Sequence, residues 1–64
     1  MIELTELIDN GDGTSRPEPI LLNPKYILFM RQDEKHGSIY LHEYGWMYVQ
    51  DNIRDIRIKA TMVH

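Results

Sequence analysis

The stretch Asp9–Thr14, DNGDGT, puts two aspartates, an asparagine and two glycines into six positions. Oxygen donors at that density suggest calcium. An EF-hand loop needs oxygen ligands at its first, third, fifth and last positions, with glycine at the sixth. Setting Gly13 at that glycine places Asn10 and Asp12 among the ligands, but Ile8 at the first position and Pro19 at the last. Both outer ligands are missing. Asn-Gly and Asp-Gly are turn dipeptides in their own right, so the stretch reads as a solvated turn between strands.

The imidazoles are His36, His42 and His64. No two stand at a spacing that one helix turn or one strand would convert into a metal pair, and no metal is expected. Cysteine is absent, which removes disulfides, thiolate zinc sites and a cysteine nucleophile. Ser15 and Ser38 lack a nucleophile-elbow context, and no glycine-rich loop leads from a strand into a helix. The chain is read as a non-enzyme with no cofactor.

Two groups of side chains remain. Arg54, Arg57 and Lys59 form a small basic cluster that could hold phosphate or an acidic partner. Interspersed with Asp51 and Asp55, it also suits a solvated edge. Tyr40, His42, Trp46 and Tyr48 alternate with aliphatic residues in SIYLHEYGWMYVQ, residues 38–50. Tyr and Trp combine large apolar area with a polar handle and are enriched at interfaces.

The elements that carry these residues read mainly as strands. Met1–Ile8 alternates, with Ile2, Leu4 and Ile8 on one parity. Residues 9–19, with Pro17 and Pro19, read as a flexible loop. Asn23-Pro24 marks a turn. Tyr26–Arg31, YILFMR, is a β-rich run that looks buried on both sides, and Gln32–Gly37 is a polar turn. In the following hairpin, a three-residue loop Glu43-Tyr44-Gly45 with Gly45 left-handed sets His42 against Trp46, Tyr40 against Tyr48 and Ile39 against Val49. One face then carries Ile39, Leu41, Met47 and Val49, and the other carries the aromatic residues. Asp51 would cap one helical turn over residues 52–55. Ile56, Ile58 and Ala60 then read as a last strand, because β-branched isoleucines favour it. A continuous helix with Ile53, Ile56 and Ala60 on one face competes. Residues 61–64 read as a frayed tail.

Together these predict one small all-β domain over residues 1–64, or β with one short helical turn. The expected fold is an SH3-like or Sm-like five-stranded barrel or a bent antiparallel sheet. A chain of 64 residues buries only about 60% of its unfolded surface, and such domains often lean on oligomerisation. The net charge of −3 disfavours long nucleic acid, which needs a positive field. No apolar run reaches membrane-spanning length, and MIELTELID does not read as a signal peptide. The expected location is the cytoplasm.

MIELTEL, ILLNPKYI and IYLHEYGWMYVQD followed by NIRDI resemble small flagellar-associated proteins of the FlbD/SwrD type. The matching positions are Met1, Ile2, Leu4, Thr5, Leu7, Leu22, Asn23, Tyr26, Ile27, Ile39, Leu41, Gly45, Tyr48 and Val49. Residues 10–19 are longer than the first turn of that family. Glu43-Tyr44-Gly45-Trp46 stands where the family has a basic Asn-Gly-Lys-Lys hairpin. The pattern is also similar to short proteins of phages and mobile elements. The resemblance implies a small β fold and a non-enzymatic role, and it transfers no site residue.

The functional expectation is a module that self-associates through the face of Tyr40, His42, Trp46 and Tyr48 and binds a protein partner. One alternative is an oligomeric binder that sequesters a nucleotide, stacking the base on aromatics and holding phosphate with Arg54, Arg57 or Lys59. A second is an Sm-like binder of single-stranded nucleic acid.

Overall fold

Hydrophobic alternation with period two organises most of the chain. A computed structural model describes residues 1–62. Five strands and one helix follow in order: β1 (Ile2–Asp9), β2 (Ser15–Leu22), β3 (Ile27–Gln32), β4 (Gly37–Leu41), β5 (Gly45–Val49) and α1 (Ile53–Met62). A single 3₁₀ turn, Pro24–Tyr26, joins β2 to β3, with the Asn23 side chain accepting from the Lys25 amide at 3.0 Å. The strands form one antiparallel sheet in the order β2-β1-β5-β4-β3. β2 and β3 are the edges, so this is an open sheet and not a closed barrel.

The core lies on one face of that sheet. Ile2 and Leu4 from β1, Ile39 and Leu41 from β4, and Met47 and Val49 from β5 are buried there. Ile56 of α1 closes over them, and Ile20, Leu22, Ile27 and Met30 pack around the rim. The aliphatic face of the β4–β5 hairpin is therefore the inner one. Its pairing is offset by two residues from the expected register: Tyr40 faces Trp46, Ile39 faces Met47 and Ser38 faces Tyr48. An offset of two preserves every side chain's face, whereas an offset of one would exchange the faces. The loop is His42–Tyr44. Glu43 takes φ 64° there, and Gly45, at φ 106°, opens β5.

Three other expectations are corrected. Residues 15–19 are not loop; they begin β2, with Pro17 opposite Leu7 and Pro19 opposite Thr5. Prolines fit because β2 is an edge strand and needs no donor on its outer side. β3 is not buried on both sides: Leu28 and Phe29 are half exposed. It too is an edge strand, and only Ile27 and Met30 reach the core. A bulge between Ile27 and Phe29 interrupts its pairing with β4.

The third correction is the last element, where residues 56–60 form no strand. The Asn52 side chain accepts from the Arg54 amide at 2.8 Å and the Asn52 carbonyl from the Ile56 amide at 3.1 Å. Asn52, not Asp51, therefore caps α1. The Gln32 side chain accepts from the Ile53 amide at 3.0 Å, so side chains satisfy the first two amides of the helix. Ile56 is fully buried while Ile58 is 52% exposed. That is helical spacing, and packing of Ile56 outweighs the β preference of isoleucine. The tail expected over 61–64 is helical at Thr61 and Met62, where the Thr61 hydroxyl donates to the Arg57 carbonyl at 2.7 Å. Val63 and His64 lie outside the described residues.

Gly37 lies close against the start of α1. A Cβ there would stand 2.7 Å from the Asp51 carbonyl oxygen and 3.2 Å from Ile53 Cγ2. Gly37→Ala is expected to cost about 1–3 kcal/mol by forcing the backbone apart. Urea unfolding checks this, and a loss below about 0.5 kcal/mol would contradict the close approach.

Candidate functional site

The outer face of β3, β4 and β5 carries what the core leaves out. Residues directly opposite one another in an antiparallel pair put their side chains on the same face. Tyr40 is opposite Phe29 on one side and Trp46 on the other. The Phe29 and Tyr40 rings stack with centroids 5.0 Å apart and planes 2° from parallel. Trp46 meets both edge-on, at 5.4 Å from Phe29 and 5.2 Å from Tyr40. The Arg31 guanidinium carbon lies 5.1 Å from the centroid of the Trp46 ring, in cation–π range. Further along the same face, Tyr48 meets His36 edge-on at 5.2 Å. Ser38 is buried beneath these side chains and its hydroxyl donates to the Arg31 carbonyl at 3.4 Å. The rings support one another, yet Phe29 is 50% exposed, Trp46 41% and Tyr48 54%.

Of the expected face, Tyr40, Trp46 and Tyr48 are brought together. His42 is not with them. It sits in the β4–β5 loop, 3.6 Å from Glu43, and borders a separate open hollow of about 380 Å³ with Tyr26, Leu41, Tyr44 and Met47. His36 and His42 flank opposite ends of β4, and His64 lies outside the described residues. Phe29, Arg31 and His36 join the face without having been expected there. The alternation of Phe29 and Arg31 with Met30 carried the signal, but a strand read as buried on both sides has no outer face to assign.

The basic cluster divides. Arg54 and Arg57 border an open hollow of about 440 Å³ between β3 and the first turn of α1. Lys59 points elsewhere: its ammonium donates to the Glu3 carbonyl at 2.9 Å and lies 3.7 Å from Asp51 Oδ2. Asp51 Oδ1 also accepts the Thr5 amide at 2.7 Å, so Asp51 and Lys59 tie β1 to α1. All three basic residues belong to α1, on the core side of the sheet, opposite the rings.

The Asp9–Thr14 turn uses its aspartate oxygens internally, while the Asn10 side-chain oxygen accepts from Arg16 at 3.0 Å. Asp9 accepts from the Gly11 amide at 2.9 Å, and Asp12 accepts from both the amide and the hydroxyl of Thr14. The Thr14 hydroxyl and amide hold the Asp12 carboxyl below the usual aspartate range. Gly11 and Gly13 supply the positive φ values the turn requires. Among the described residues no helix is long and apolar enough to cross a membrane. No family model matches the chain, and neither does any curated protein or solved structure.

Proposed function

We propose that this chain is a non-enzymatic interaction module that self-associates and holds a protein partner through the outer face of β3, β4 and β5. What supports this reading is the cluster of Phe29, Tyr40 and Trp46 with Arg31 beside it, its Phe29 and Trp46 rings exposed on a face the core does not need. Contiguous apolar patches of this kind usually mark interaction sites. Tyr, Trp and Arg are the residue types that dominate interface energetics. The resemblance to small flagellar-associated proteins favours the same class of role.

A nucleotide-sequestering role draws less support. Its base platform and its phosphate-binding arginines would lie on opposite sides of the sheet in one copy. The test is the solution mass of wild type against Trp46→Ala, with loss of assembly expected while the monomer stays folded.

A further inference from the structure

We infer that two copies of this chain join by antiparallel pairing of their β3 edges, centred on Met30. This rests on the self-associating reading above and adds a second contact, at the sheet edge, to the outer-face contact which that reading assigns.

The sheet has two edges, β2 and β3. A free edge offers a row of N–H and C=O groups to any strand that fits, and folded proteins blunt such rows. β2 is blunted: Pro17 and Pro19 lack N–H groups, and Arg16 and Glu18 add charge. β3 has no proline, and Leu28 and Phe29 stand half exposed on it. A bulge precedes Phe29 and Arg31 adds one charge, but from Phe29 to Gln32 β3 keeps every N–H, so it is the edge better able to pair.

Backbone alternation fixes which groups β3 offers. The Asp33 amide donates to the His36 carbonyl at 2.9 Å. Hydrogen-bonded and non-hydrogen-bonded pairs alternate along an antiparallel ladder. Arg31 opposite Ser38 and Phe29 opposite Tyr40 are therefore bonded pairs. The Ser38 hydroxyl reaching the Arg31 carbonyl agrees with this. Met30 and Gln32 turn their N–H and C=O groups outward.

A second β3 must meet these with its own outward groups, and two symmetric registers give Met30 an outward partner within β3 without using Leu28 at the bulge. Centring on Arg31 sets Arg31 against the partner's Arg31, and like charges directly opposite are unfavourable. Centring on Met30 sets Phe29 against the partner's Arg31, and Arg31 against the partner's Phe29. Those are non-hydrogen-bonded pairs, whose side chains approach more closely, and guanidinium on an aromatic face is attractive. The Met30 register thus satisfies backbone and side chains together. It also joins the two ring clusters into one surface across a continuous sheet.

Charge substitutions at Phe29 test the register, because Phe29→Glu and Phe29→Lys lose the same ring but differ in sign. Sedimentation equilibrium of wild type is expected to show species heavier than the monomer. Phe29→Glu, facing the partner's Arg31, keeps dissociation within a few-fold of wild type. Phe29→Lys weakens it by at least about tenfold, and the double variant Phe29→Lys, Arg31→Glu restores it. Equal weakening by both single variants would overturn edge pairing while leaving association through the ring face standing. An unaffected Phe29→Lys would overturn the Met30 register, since centring on Arg31 would set residue 29 near the partner's Asp33. A wild type that stays monomeric at about 1 mM would overturn both the pairing and the self-association it rests on. Amide exchange needs no variant: protection at Met30 and Gln32 is expected to rise with protein concentration, and constant exposure there would overturn the pairing.

Discussion

Ile39→Ala is expected to leave the protein close to unfolding at room temperature. Ile39 is fully buried at the centre of β4, between Met30 and Met47 on the neighbouring strands. Truncating a buried isoleucine costs about 2–5 kcal/mol, through lost transfer energy and the cavity left behind. A chain of 64 residues has a total stability of about 3–10 kcal/mol at the usual per-residue value. The core has one layer, inside an open sheet with one helix over it, so little material can collapse into the gap. Urea unfolding followed by circular dichroism checks this. A loss under about 1 kcal/mol would mean that Ile39 does not sit where the core is densest.

Trp46→Ala is expected to act in the opposite way, sparing the monomer and disabling assembly. Trp46 touches Phe29, Tyr40 and Arg31 on the outer face, and no core residue depends on it. Aromatic pairs of this type contribute about 0.5–1.5 kcal/mol beyond buried area, so monomer stability falls by about 1 kcal/mol. At an interface, a central tryptophan typically contributes 2 kcal/mol or more. Self-association is therefore expected to weaken by roughly 30-fold or more. Sedimentation equilibrium and urea unfolding on the same variant separate the two effects. Unchanged association would remove the aromatic face from the interface. A monomer destabilised as much as by Ile39→Ala would make Trp46 a structural residue.

The parts of this fold legible in the sequence are those where one local period decides the outcome. Ile2 and Leu4 alternate and are buried; Ile39, Leu41, Met47 and Val49 alternate and are buried. The hairpin faces survived a register offset because the offset was even. Elsewhere the deciding contacts come from distant residues. Gln32 caps the first turn of α1, and Ile56 packs on strands formed earlier in the chain. Neither is visible in IRDIRIKATM, whose isoleucines locally favour a strand. β2 was hidden behind two prolines that only an edge position tolerates, and edge position depends on sheet order.

The same distinction separates the site residues. Tyr40, Trp46 and Tyr48 share one hairpin and one parity, so their common face could be read directly. Phe29 and Arg31 reach that face because β3 lies beside β4, a fact of topology. Arg57 and Lys59 look like neighbours in sequence, but two residues along a helix turn about 200°, and they point to different surroundings.

The most direct test of the interaction face is a concentration series of two-dimensional NMR spectra of the wild-type protein. On raising the concentration, perturbations are expected at Phe29, Arg31, Tyr40, Trp46 and Tyr48. Tyr26, Leu41, His42 and Tyr44, around the hollow at the other end of β4, are expected to stay unmoved. Perturbations centred on that second group, or none anywhere, would contradict a module that associates through its outer aromatic face.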